Sequence, residues 1–203
     1  GFASLAPVTD PEQIVPLAGT ALGIREPSLS RIGEQLADVP TLLVLDNLEQ
    51  IPGAAGIVAL LLATCASLVA LATSRTVLHV SGEQVYPVYP FGIDAAPDDS
   101  SLAASPAVRL FAERAHAADA SFALDRANLP TVARICRELD GLPLAIELAA
   151  GQVRMLSPQA MLNRLDQRFD LLTLGPEDQA ERHRSLDRAI RWSYDLLAPD
   201  QQQ

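Results

Sequence analysis

Two uncharged runs organise the first half of the chain. Thr41-Leu42-Leu43-Val44-Leu45 ends at Asp46, and Leu68-Val69-Ala70-Leu71-Ala72-Thr73 ends at Ser74 and Arg75. Neither run alternates between apolar and polar residues, which is the pattern of a strand covered on both faces. Between them, Pro52 to Ser67 is rich in alanine and leucine and predicts a helix. Upstream, Phe2 to Leu5 reads as the end of a short strand. Asp10-Pro11-Glu12-Gln13 is a helix start, with Asp10 as cap, Pro11 in the first turn and Gln13 able to reach back. That helix carries Ile14, Leu17 and Ala18, with Pro16 placed to bend it, and a second helix over Leu29 to Ala37 buries Ile32 and Leu36. A further short strand is expected over Gln84 to Val88. The alternation predicts an α/β fold: a parallel sheet with helices on both faces. The strand ends at Asp46 and Thr73 then share the sheet edge at which open α/β sheets bind ligands.

The pattern changes at Gly92 to Ser101, a polar segment with three acidic residues and one proline that reads as a linker. Everything beyond it has helical spacing. Ser105-Pro106 starts a helix with Val108, Phe111, Ala112 and Ala115 inward. Asn128 caps the next, which turns Val132, Ile135, Cys136 and Leu139 inward and stops at Gly141. Pro143 opens a third helix through Val153, and Ser157-Pro158 a fourth with Met161, Leu162 and Leu165. A loop from Leu172 to His183 leads to a last helix, Leu186 to Leu197. The expected division is an α/β domain over 1–92, a linker over 93–104, a helical domain over 105–180 and the start of a further domain over 181–203.

Composition narrows the partners. The 203 residues are 49% apolar and carry a net charge of −10, so a nucleic-acid-binding face is not expected. All 15 basic residues are arginines, which excludes a Schiff-base lysine and a phosphate-loop lysine within this stretch. Cys65 and Cys136 lie in apolar helical contexts without metal-ligand spacing and read as reduced thiols of a cytoplasmic protein. The most apolar stretch, from Ile57 to Leu71, is broken by Thr64 and Ser67, and neither a membrane span nor a signal peptide is expected.

Several residues are candidates for chemistry, each with an ordinary structural alternative. Asp46, ending an apolar strand, can hold a hydrated divalent cation against phosphates, or simply cap a turn. Glu49 can orient a hydrolytic water, or stand as a solvated loop carboxylate; Asn47 lies between them. Arg75 can fork onto a terminal phosphate, or form a surface salt bridge, and Thr73 and Ser74 offer hydroxyls to the same edge. Gly141-Leu142-Pro143-Leu144 is a helix stop and restart, either a tight turn or a helix N-terminus whose amides meet a ligand. His79, His116 and His183 are too scattered for a metal cluster, and no nucleophile constellation is present.

In combination these segments resemble the signalling ATPases of the NB-ARC and STAND type. Thr41 to Glu49 resembles their Walker B region, Leu71 to Arg75 their sensor 1, Gly141 to Ala150 the GLPL element of their helical domain, and Leu186 to Leu197 the opening helix of their winged-helix domain. Leu5 to Pro11 is similar to the second strand and helix of bacterial members found in transcriptional and cyclase-linked regulators. The resemblance implies a partial P-loop NTPase-type parallel sheet, an all-helical domain and the first helix of a winged-helix domain. It implies an ATP/ADP-regulated switch acting with sensor and output domains of a longer protein. Asp46 would serve magnesium, Glu49 catalysis, and Arg75, Thr73, Ser74, Gly141 and Pro143 the nucleotide.

Two departures bear on that implication. The second acidic position of Walker B is Asn47, and the glycine-rich loop with its lysine is missing, so the chain reads as a fragment. ATP, ADP and magnesium are therefore expected to bind the longer protein and not this chain alone. The alternative is a degenerate structural or protein-interaction module. The family's strand order also implies that strands near Phe2, Leu43 and Val69 pair side by side while Gln84 to Val88 loses its neighbour, leaving Leu68 to Thr73 as an exposed apolar edge. The last strand sliding across, a second copy docking or local disorder would relieve this, and docking of a second copy is expected because an apolar face is exposed along with the edge.

Overall fold

The computed structural model describes residues 1–92 and 99–165. The expected helix over Leu186 to Leu197, the domain over 181–203, and His183 lie outside the described residues. The chain divides into two compact units, Gly1–Pro87 and Val88–Gln203.

In the first unit, β1 (Phe2–Ser4), β2 (Thr41–Asp46) and β3 (Leu68–Ala72) form a parallel sheet in the order β1-β2-β3. Phe2 stands opposite Val44, and Val44 opposite Leu71. Side-by-side pairing of these three segments agrees with the sequence reading. The connections are α1 (Ile14–Ala21) and α2 (Leu29–Leu36) between β1 and β2, and α3 (Ala54–Thr64) between β2 and β3. Asp10 accepts a hydrogen bond from the Glu12 N–H at 2.9 Å, and Ser28 one from Arg31 at 3.3 Å, so both helical entries have side-chain caps.

Helices cover one face of this sheet and not two. Ala3, Leu43, Leu45 and Leu68 are buried in a core with Ile14 and Ala18 of α1 and Val58 and Leu61 of α3, and Ile32 of α2 joins the same core. The opposite face carries Phe2, Leu42, Val69 and Leu71, which remain 63%, 52%, 63% and 56% exposed. The reason is topological. A right-handed crossover places its helix on a fixed side, and a sheet that adds strands in one direction gathers every helix on that side. Helices on both faces require the strand order to reverse, and among the described residues it does not.

Gln84 to Val88 is extended and exposed and, as the loss of its neighbour implied, pairs with no strand. Pro87 and Pro90 explain this in part: each lacks an N–H, and each biases the residue before it towards extended backbone. The expected linker over 93–104 overlaps α4 (Asp99–Ala104), which opens with a helix-favouring acidic residue.

The second unit is helical in its described part: α4, α5 (Pro106–Ala118), α6 (Leu129–Glu138), α7 (Pro143–Ala150) and α8 (Pro158–Asn163). Its core joins Val108, Phe111 and Ala115 of α5 to Val132, Ile135 and Cys136 of α6, Ile146 and Ala149 of α7 and Met161 of α8. Phe111 meets Phe122 edge to face, ring centroids 6.2 Å apart. Ser157 caps α8 through the Ala160 N–H at 3.3 Å. Asn128 does not cap α6. Its amide instead bonds the Ala123 carbonyl and the Asp125 N–H, while the Asp125 carboxylate accepts from the Ala127 and Asn128 N–H groups. These bonds order the turn before α6, and Pro130 near the start of the helix has no N–H for a side-chain cap to accept from. Phe111→Ala should destabilise the chain by about 3–5 kcal/mol in denaturant unfolding, since a fully buried ring leaves a cavity.

Candidate functional site

The carboxyl ends of β2 and β3 bring together Asp46, Asn47, Glu49, Thr73, Ser74 and Arg75. Two sets of contacts organise them. The Thr73 hydroxyl donates to Asp46 Oδ1 at 2.7 Å and accepts from the Asn47 N–H at 2.9 Å. Asn47 holds a left-handed backbone (φ 70°), which asparagine tolerates better than most residues, and so turns the chain into the short 3-10 turn Leu48–Gln50. Leu48 N–H then bonds the Thr73 carbonyl at 3.1 Å, and the Gln50 amide bonds the Leu5 carbonyl. Asp46, Asn47 and Thr73 thus stitch the two strand ends together.

The second contact is the ion pair of Arg75 Nε with Glu49 Oε1 at 3.1 Å. The Glu49 side chain is 10% exposed and the guanidinium 39%, so each neutralises the other at the rim of the sheet. Ser74 turns back to accept from the Thr76 N–H at 3.2 Å. Every member of the group therefore has a partner within the chain. Nor is there a crevice at this edge of the kind found where strand order reverses, because the described strands run in one direction.

Gly141 and Pro143 lie in the helical unit, at the α6–α7 turn. Gly141 is buried with φ 65°, and the Phe91 N–H bonds its carbonyl at 3.0 Å. A Cβ on Gly141 would stand 2.0 Å from the Phe91 carbonyl oxygen, so this glycine admits another backbone segment. Pro143 occupies the first turn of α7 and is exposed.

Both cysteines are free and buried. Burial pushes the Cys136 thiol up to about 12, and its sulfur faces the Ala107 carbonyl at 3.6 Å. His116 Nδ1 lies 3.1 Å from the Phe122 carbonyl and ties the α5 end to the following loop. Among the described residues no three His, Cys, Asp or Glu side chains converge as a cation site.

The sheet face of Phe2, Leu42, Val69 and Leu71, with half-buried Val44 among them, is uncovered. An exposed apolar face was expected beside the β3 edge, but which residues form it was hidden because both faces of β2 and β3 are apolar, so the residues facing outward look the same as those facing the core.

What these observations define is a small parallel sheet with one helical layer, joined in sequence to an all-helical unit. A protein of Mycobacterium tuberculosis named as an HTH-type transcriptional regulator is 34% identical over 206 residues, covering 99% of this chain and 22% of that protein. A counterpart in Mycobacterium bovis, of the same description, matches equally. An uncharacterized M. tuberculosis protein is 35% identical over 199 residues, covering 96% of this chain and 48% of its own length. The chain thus spans about a fifth to a half of these relatives. No family model and no solved structure matches.

These relatives correct the resemblance drawn from the motifs. They are named as HTH-type transcriptional regulators and not as NB-ARC or STAND ATPases. The reading as an ATP/ADP-regulated switch, with its ATP-binding, nucleotide-binding and P-loop NTPase terms, is overturned. The physical reason the motifs misled is that an apolar strand ending in aspartate, and a glycine-proline helix restart, each have sufficient structural causes here. Thr73→Val should cost about 1 kcal/mol of stability by removing the Asp46 and Asn47 bonds at an exposed site. Arg75→Ala should cost less than about 1 kcal/mol, as a rim ion pair does. Gly141→Ala should cost at least about 2 kcal/mol, combining left-handed strain with backbone overlap. Urea titrations of the three variants read this order directly.

Proposed function

We propose that this chain is a non-catalytic protein-interaction module of a longer transcriptional-regulator-type protein. The observation that carries the reading is the bare sheet face: Phe2, Leu42, Val69 and Leu71 are each more than half exposed on one continuous apolar surface. Contiguous exposed apolar patches on otherwise polar surfaces mark docking sites. The outer edge of β3, where sequence reasoning expects self-association, adjoins this face. The strand-end group supports the reading as well, since Asp46, Thr73, Glu49 and Arg75 are bonded to one another. With a net charge of −10, the module works through protein contacts and leaves nucleic acid to other parts of such a protein. No helix among the described residues is long and apolar enough to cross a membrane.

The test pairs two measurements on the 203-residue chain. Val69→Asp with Leu71→Asp should leave the far-ultraviolet dichroism and melting temperature unchanged while lowering the fluorescence of a bound apolar dye. Magnesium with ADP should leave the melting temperature of the unaltered chain where it was. Unfolding by the two aspartates would mean that the face is core, and a melting temperature raised by magnesium-ADP would mean a nucleotide site. Either result overturns the reading.

A further inference from the structure

Between the end of β3 and the extended run Gln84 to Val88 the chain folds back once, and one side chain draws the loop shut. The Glu83 carboxylate accepts from the Leu78 N–H through Oε1 at 3.0 Å and from the Val80 N–H through Oε2 at 3.2 Å. The Glu83 N–H donates in turn to the Val80 carbonyl at 3.0 Å. His79 and Gly82, within the loop, have φ of 60° and 80°. Glycine takes such backbone freely and histidine less so, and the two carboxylate bonds fall on either side of His79. Leu78 is the loop's anchor, half-buried against the core of the first unit, while His79, Ser81, Gly82 and Glu83 are exposed. Beyond Glu83 the chain enters the run that pairs with no strand.

We propose that Glu83 is a clasp that holds the loop 76–83 shut on the core of the first unit, and that its protonation opens the loop while the sheet stays folded. An ionised carboxylate only accepts, and its two oxygens can each take one N–H. A proton converts one oxygen into an O–H donor, which cannot face an amide N–H, so at least one of the two bonds is lost. With the clasp open, the extended run lengthens back from Gln84 towards Thr76. Leu78 is then held by its apolar contact alone.

The same bonds set the pH range. The Leu78 N–H is the main cause that holds the Glu83 carboxyl below the usual glutamate range; desolvation works against it, and the Val80 and His79 N–H groups and the His79 charge add to it. His79, on the loop itself, is the titratable neighbour that acts on the carboxylate, and at the β3 end Arg75 is paired with Glu49. Because the closed loop favours the charged form, the clasp contributes fully at neutral pH. Its contribution is lost as the pH falls through the lowered value.

Nuclear magnetic resonance of the isotope-labelled 203-residue chain reads the loop amide by amide. Through an acid titration the Leu78 and Val80 amide signals should move together, with a midpoint below the ordinary glutamate value, while the amides of β2 keep their protection from exchange. At neutral pH, Glu83→Ala should speed exchange of the Leu78 amide about tenfold and leave β2 as it was. Glu83→Gln keeps one carbonyl oxygen but cannot titrate, so the acid transition should vanish at both amides. Signals that stay still through the titration overturn the proposal, as does a midpoint at or above the ordinary value. So does a transition that survives in Glu83→Gln, or unaltered Leu78 exchange in Glu83→Ala. Loss of β2 protection in step with the two amides also overturns it, since the loop would then open only when the whole unit unfolds.

Discussion

The handedness of the strand crossovers is the constraint on which the first unit depends. Each parallel connection must be right-handed, and the strands are added in one direction, β1 to β2 to β3. Those two facts place α1 and α3 on the same face and assemble Ile14, Ala18, Val58 and Leu61 over Leu43 and Leu45. They also leave Phe2, Leu42, Val69 and Leu71 in water. The core and the bare face of this unit are thus two consequences of one topological rule.

The strand ends show how local hydrogen bonding can produce the outline of a reactive site. Asp46 ends an apolar strand beside a threonine, with a glutamate and an arginine close by, and the set has the residue types that phosphate chemistry uses. Their geometry gives them another task. Thr73 bridges Asp46 and the Asn47 amide, and Asn47 adopts the left-handed backbone that starts the next turn. Glu49 and Arg75 satisfy each other.

In the helical unit the Gly141 turn has a comparable place. Its positive φ and missing side chain let the Phe91 backbone approach and bond, which fixes the segment that enters this unit. The following Pro143 starts α7 where a free N–H would be lost in any case. Together they account for a motif that, read as sequence alone, had suggested a ligand.

Sequence alone determined the elements and many of their ends. The uncharged runs are β2 and β3, Asp10 and Ser157 cap where expected, and the inward stripes of α5 and α6 are those of the apolar spacing, because these depend on residues a few positions apart. Whether a polar residue caps a helix was already harder: Asn128 makes no cap bond to α6 and instead ties the loop before it to Asp125 and Ala123, since that depends on how the loop folds back. Tertiary structure decided the rest. Val69 and Ala70 have the same apolar character in sequence, and only the side on which the crossovers lay their helices makes one exposed and the other partly covered. Gln84 to Val88 has a strand's composition, yet a strand exists only where a neighbour supplies its hydrogen bonds, and that is a property of the assembled chain.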